Sequence, residues 1–306
     1  MKLFRIDYRL QSAAASEWQA DTIFGHLCWA MRYSEGEAAL AKFLDSFRQG
    51  HPLILVSNGF PQGLFPNPKF PPRPIDASLP PKQQREKSKR RKDAQKQKYL
   101  TMDDFNLAIN GQDFEPSKDS KLDFQKRVTL KNQINRLTGT TGLEGSLFDF
   151  EETFCPAISI YAKIDDDFVE TARELFGFIR DGGYGKRKSV GYGAISSMSF
   201  MPLEGLRLPE KPNGFVSLSN FVPASSDPTR GYWDTVVKYG KLGEEYASAG
   251  NPFKRPLVML VAGSTFYDSP VRPFYGRMVP EVSPTYRHVV QYGFALPLPI
   301  RLPPVQ

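Results

Sequence analysis

Residues 158–200 read as strand, helix, loop and strand in immediate succession. ISIYAKI (158–164) is β-branched and apolar, as a strand requires. DFVETARELFGFIRDGG (167–183) sets Val169, Ala172, Leu175, Phe176 and Ile179 on one helical face, and Gly182 and Gly183 close it as C-terminal caps. AISSMSF (194–200) returns to strand. The first fifty-odd residues repeat the order with an extra helix. KLFRIDYRL (2–10) alternates, with Leu3, Ile6 and Tyr8 on a half-buried face and Phe4 as an exception. Asp21 reads as the N-cap of a helix carrying Ile23, Phe24, Leu27, Cys28 and Met31. A second helix over 36–48 carries Leu40, Phe43, Leu44 and Phe47, His51-Pro52 stops it, and LILVS (53–57) is a short strand. Two such halves in tandem predict an α+β chain of two ferredoxin-like units, 1–150 and 151–306, with no residue-level repeat between them. The last third adds strand candidates at 215–221, 256–266 and 289–300.

The N-terminal unit is interrupted by a long insertion, about 59–128. Its first part, 59–81, is proline-rich and reads as extended chain with apolar knobs. Residues 82–98, KQQREKSKRRKDAQKQK, hold nine Lys or Arg against two Asp or Glu. That net of +7 equals the formal charge of the whole chain, so the remainder sums to zero. The run suits either a mobile loop or a solvated helix, and either sequence-independent nucleic-acid binding or simple solvation. Residues 99–128 stay polar, so the insertion does not read as a domain with its own core.

The apolar fraction, 40%, is that of a globular protein with a real core. No apolar run reaches the roughly 18 residues of a membrane helix, and MKLFRIDYRL lacks a signal peptide's apolar block. The expectation is a soluble, cytoplasmic protein. Two distant cysteines, Cys28 and Cys155, and three scattered histidines predict neither a disulfide framework nor a metal site. No cofactor is expected.

The loop itself, GGYGKRKSVGYG (182–193), combines five glycines, two tyrosines and the cations Lys186, Arg187 and Lys188. It is not a phosphate loop of the G-x-x-x-x-G-K-[ST] kind, because Arg187 follows Lys186 where a hydroxyl should stand. G-x-G-x-x-G fails at Lys188. Nucleotide loops also run from strand into helix, so that a helix N-terminus faces the phosphate, whereas this one leaves a helix and enters a strand. An accessible backbone with three cations suits a run of nucleic-acid phosphates, with Tyr184 and Tyr192 available to stack bases. The plain alternative is a solvent loop.

LKNQINRLTG (130–139) offers Lys131, Asn132, Arg136, Thr138 and the N–H of Gly139, donors that suit RNA backbone and 2′-OH groups; an ordinary polar loop fits it equally. His26, beside the core face of the first helix, is the one residue placed to act as a metal-independent general base for RNA cleavage, although a packing histidine is the commoner case. No paired carboxylates stand out. Asp165, Asp166 and Asp167 form an acidic helix start.

In order along the chain, ADTIFGHLCWA (20–30), LKNQINRLTG, GGYGKRKSVGYG and the terminal VVQYGFALPLPI resemble the RAMP superfamily of CRISPR effector proteins, and within it subunit four of type III-A, Csm-type, complexes. That resemblance implies RRM-related ferredoxin-like folds. It implies recognition of the repeat-derived 5′ handle of the guide RNA (crRNA), and contact with target RNA near the handle. It implies docking to the large polymerase/cyclase-like subunit and to the backbone RAMP subunit, with a thumb-like element wedged into the guide–target duplex. Target cutting, by a backbone-subunit aspartate, and cyclic oligoadenylate synthesis belong to those partners, so this subunit is not expected to be an enzyme. A metal-independent guide-processing endoribonuclease using His26 is the alternative. The resemblance carries RNA contact to Lys186, Arg187, Lys188, Ser189 and Gly191, to Lys131, Asn132, Arg136, Thr138 and Gly139, and to Ser264 of a late Gly263-Ser264 pair. Where the family has His-Asn this chain has Lys131-Asn132, which keeps a donor and removes an imidazole. The insertion has no counterpart to align and is expected to supply the thumb or a subunit contact.

Overall fold

The computed structural model describes residues 1–71, 80–117, 122–141, 147–248 and 250–304, with the backbone alone at residue 87. The strands are β1 (Lys2–Leu10), β2 (Ile54–Pro61), β3 (Phe65–Pro66), β4 (Tyr99–Leu100), β5 (Gln125–Asn132), β6 (Leu147–Phe154), β7 (Ala157–Ile164) and β8 (Ile195–Pro202). The last third adds β9 (Gly214–Ser217), β10 (Gly231–Tyr232), β11 (Thr235–Lys238), β12 (Leu257–Leu260), β13 (Thr265–Tyr267), β14 (Tyr275–Gly276), β15 (Phe294–Ala295) and β16 (Pro297–Ile300). The helices are α1 (Ala20–Glu35), α2 (Glu37–Arg48), α3 (Pro81–Lys96), α4 (Met102–Ile109) and α5 (Val169–Gly182).

The α+β class is as expected, but the halves combine differently. β1 pairs antiparallel with both β7 and β8, and β7 pairs with β2, giving the sheet order β2-β7-β1-β8. Read as β1-α1-β2 and β7-α5-β8, this is one ferredoxin-like unit assembled from both halves of the chain. The expected boundary at 150 therefore falls between strands of a single sheet. The physical reason is that two strands and a helix cannot cover one another's apolar faces, whereas four strands under two helices can. A second antiparallel sheet, β10-β13-β9-β16, comes wholly from the last third. Val216, Leu298 and Ile300 of that sheet share one core with the first.

β1 shows how the inward face is chosen. Phe4, Ile6, Tyr8 and Leu10 are buried at a spacing of two, so Phe4 belongs to the inward set and Leu3 to the other face. Asp7, on that other face, is buried too, and is held by the Ser159 hydroxyl (2.5 Å) and the Arg5 guanidinium (3.2 Å). Asp21 is not an N-cap. Gln19 occupies that position, and the Asp21 carboxylate in the first turn accepts from Gln291 (2.5 Å) and pairs with Lys238 (3.2 Å). Among the described residues no helix is long and apolar enough to cross a membrane.

Among its described residues the insertion has no core of its own, as expected, but it extends the main one. Phe65 of β3 stacks between Tyr161 of β7 (4.3 Å) and Phe105 of α4 (4.5 Å). Thr101 caps α4 by accepting the Asp104 N–H at 3.3 Å. The basic run takes the helical alternative as α3. Part of the proline-rich stretch, 72–79, and part of the polar stretch, 142–146, lie outside the described residues. On either side of 142–146 the chain forms strands, with residues 133–141 as turn and bend between them. β5 and β6 pair residue for residue, from Gln125 with Phe154 to Asn132 with Leu147, as a two-stranded hairpin.

Because Phe65 is fully buried against two rings, Phe65→Ala should lower unfolding free energy by about 4 kcal/mol. Urea denaturation checks this, and a loss under about 1 kcal/mol would show that the insertion is not part of the core.

Candidate nucleic-acid interface

The glycine loop is held from beneath. Tyr184 is fully buried, with its ring stacked on Trp18 at 3.7 Å and 9°, and its hydroxyl donates to the Glu17 carbonyl at 2.8 Å. The Gly185 N–H donates to Nε2 of His26 at 3.0 Å, and the Lys186 N–H to the Ser16 hydroxyl at 3.0 Å. The return limb is fixed by Gly193 N–H to Ala13 carbonyl (2.8 Å) and Ala194 N–H to Ser12 hydroxyl (2.9 Å). Gly193 cannot be another residue here. Its φ is +62°, and a Cβ would lie 2.1 Å from the Tyr184 carbonyl oxygen.

The N–H groups of Val190, Gly191 and Tyr192 also turn inward, to the carbonyls of Arg187 and Lys188. The expected cradle of accessible backbone donors is therefore largely consumed by the fold. What faces outward is side chain. Lys186, Arg187 and Ser189 are exposed, and Arg187 adopts a left-handed backbone, φ 62°.

The hairpin delivers the second set. On its inner face Lys131 lies over Phe150 (4.0 Å) and Tyr192 (4.5 Å), and donates to the Tyr192 hydroxyl. Arg187 lies over the same Phe150 (4.7 Å) and over Phe148 (5.7 Å). Two cations 56 positions apart in the chain thus share one aromatic floor, which fixes their position while leaving their charge outside any ion pair among the described residues. The outer face carries Val128, Leu130 and Leu147, and near the tip Leu137 is 96% exposed.

The predicted residues sort by place. Lys131 and Arg187 are brought together, with Lys186, Ser189 and Gly191 on the same loop. Asn132 ends β5, and Arg136, Thr138 and Gly139 sit at the exposed hairpin tip. There the Gly139 N–H is already bonded to the Asn135 carbonyl (2.8 Å), and the Thr138 hydroxyl meets that of Thr140 (2.9 Å). Lys188 turns away from the other two loop cations to pair with Glu244 at 2.5 Å. Tyr184 has no face free for a base. Ser264 lies elsewhere: it is fully buried, its hydroxyl donates to the Val261 carbonyl at 2.6 Å, and it builds a turn before β13. The sequence reading passed over Phe148, Phe150 and Glu244. The alternation in LFDFEETF was the available sign of the first two.

His26 is committed as well. Burial, then the nearby Lys188 ammonium, pull its imidazole down to about 4, and Nε2 already accepts the Gly185 N–H. Among the described residues no group of three His, Cys, Asp or Glu converges as a metal site would need.

The RAMP superfamily model matches residues 19–196. The chain belongs to the RAMP superfamily. Among curated protein sequences nothing matches. Its fold is similar to that in crystal structures of a Csm1-Csm4 cassette with pppApA (TM-score 0.67, 16% identity) and with AMPPNP (0.67, 18%), each covering 100% of both chains. It is also similar to a chain of a Csm3-Csm4 subcomplex of the type III-A CRISPR-Cas interference complex, at TM-score 0.61 and 14% identity, over 98% of this chain and 100% of the other. Csm4 is the component these assemblies share. At such identities the likeness is one of fold.

The His26 shift carries a pH dependence. Below the ordinary imidazole value of 6.5 the unfolded chain takes up a proton that the folded one refuses until about 4. Stability should therefore fall as pH drops through that window, by on the order of 3 kcal/mol in all. Urea titrations at pH 7, 5.5 and 4.5 should show this slope flattened in His26→Gln; an identical slope in the variant would contradict the assignment.

Proposed function

We propose that this chain is the guide-RNA-binding subunit that recognises the repeat-derived 5′ handle in a type III-A interference complex, without catalytic activity of its own. The full-length likeness to the component common to the Csm1-Csm4 and Csm3-Csm4 assemblies carries the reading. By the same likeness it docks the large polymerase/cyclase-like subunit and the backbone RAMP subunit.

The mechanism is electrostatic positioning. Lys186 and Arg187, with Lys131 beside them, take successive handle phosphates, and Ser189 reaches 2′-OH groups. The aromatic floor holds the cations in place before RNA arrives, which reduces the ordering cost of binding. Lys188, paired to Glu244, holds the loop instead of the RNA. The β5–β6 hairpin, rather than the basic part of the insertion, is the thumb-like element. Its exposed apolar outer face and tip suit insertion beside the guide–target duplex, in contact with target RNA near the handle. The subunit works in the cytoplasm, where guide and target RNAs meet.

Each phosphate neutralised on single-stranded RNA adds roughly 0.7 to the salt slope of binding. Lys186→Gln with Arg187→Gln should therefore lower the slope for a labelled handle RNA by about 1.4, whereas Lys188→Gln should leave it unchanged. An unchanged slope in the double variant would reject the loop as a phosphate site. A repeat hairpin incubated with the protein in EDTA should remain intact; specific cleavage lost in His26→Ala would instead make the chain the processing nuclease.

A further inference from the structure

Helix α3 has no part in the site above, yet its sequence carries a net of +6 out of the chain's formal +7. Among its described residues none is buried, and its sequence has no apolar face by which to pack. It is oriented by one side only. Arg90 pairs with Glu115 at 2.7 Å and Arg91 with Asp113 at 3.6 Å, while Asn67 donates to the carbonyls of Ala94 (2.7 Å) and Gln97 (2.9 Å) at its end.

The other side is a ladder of like charge. Lys82, Arg85, Lys89, Lys92 and Lys96 follow one another at steps of three and four, which places all five on one stripe of the helix. All five are exposed, and among the described residues none has an ion-pair partner. Glu86 and Asp93 flank the stripe. Cations at i and i+4 repel, as Arg85 with Lys89 and Lys92 with Lys96, and Glu86 and Asp93 offset this only in part, since they are two acids against five bases. A surplus of charge that packs against nothing calls for an anionic ligand.

We propose that the stripe Lys82–Arg85–Lys89–Lys92–Lys96 is a second, sequence-independent binding site for the phosphate backbone of single-stranded RNA. Three observations choose this occupant. From Lys82 to Lys96 the helix spans about 21 Å, enough to follow several successive phosphates of one strand. The stripe has no aromatic or aliphatic anchor, which a protein interface centres on and a bilayer surface requires, whereas phosphate contacts need none. The C-terminal end of α3 also leads to the hairpin: Lys98 pairs with Asp123, and Tyr99 meets Phe124 edge-on at 6.4 Å, just before β5 begins. A strand leaving the hairpin base finds the stripe next. The proposal goes beyond handle recognition and does not require it.

The test uses the full-length protein and fluorescein-labelled oligouridine of about 20 nucleotides, which contains no handle, titrated from about 50 to 300 mM salt. Replacing the five residues by Gln should weaken binding at least about tenfold at low salt and lower the salt slope by about 2 to 3.5. Swapping Lys for Arg and Arg for Lys at the same five positions should leave both unchanged, and circular dichroism should show both variants folded. Lys186→Gln with Arg187→Gln should keep the component that the five-residue variant loses, which separates failure of the stripe from failure of the loop. Equal affinity and slope in the Gln variant would overturn the proposal. So would polyglutamate of matched charge displacing the RNA as well as unlabelled oligouridine does, since the site would then be a general acidic-partner surface.

Discussion

The short segment 12–18 is the bracket on which the interface depends. Trp18 provides the ring on which Tyr184 stacks, and Ser16, Ala13 and Ser12 accept three of the loop's backbone donors. Between them Ala14 exchanges backbone hydrogen bonds with Thr153 of β6, at 2.8 and 2.9 Å. One stretch of chain therefore fixes both the glycine loop and the base of the hairpin. His26, in the second turn of α1, completes the clamp by taking the Gly185 N–H. Arg187 and Lys131 meet over Phe150 only because both of their carriers are tied to this segment.

The arrangement divides labour between backbone and side chain. A glycine-rich loop with most of its N–H groups free would bind anions by its backbone. Here those donors are used to shape the loop, and what it presents outward is cations standing on aromatic faces. The Lys188–Glu244 pair belongs to the shaping part, since it ties the loop to the 244–248 turn, where Glu245 in turn pairs with Arg32 of α1 at 3.1 Å. This separation lets the charged surface remain exposed without loosening the core beneath it.

Much of this was legible in the sequence, and the misses share a cause. The strand–helix–strand halves, the helix faces and the loop motif were readable because each is a local pattern. Which strands pair is not local. β1 lies beside β7 and β8, more than 140 residues away, so the halves looked like two domains when they form one sheet. The hairpin was missed because its inner face is mostly polar, with Phe150 its one buried apolar residue among those described, while β5 alternates around an exposed Val128 and Leu130. The loop's cations were readable as residues but not as partners. Nothing in GGYGKRKSVGYG says that Tyr184 is a plug, or that Lys188 finds a carboxylate near residue 244. Ser264 was likewise assigned by resemblance, and its burial is a property of the turn before β13 that composition does not reveal.

Site-specific photocrosslinking probes guide-RNA contact by the loop and hairpin together. The assembled complex would carry 4-thiouridine at single positions of the 5′ handle, and crosslinked peptides would be identified by mass spectrometry. Adducts should fall within 182–193 and 125–141 from neighbouring handle positions. Adducts confined to other parts of the chain, with both segments free of RNA, would contradict that contact.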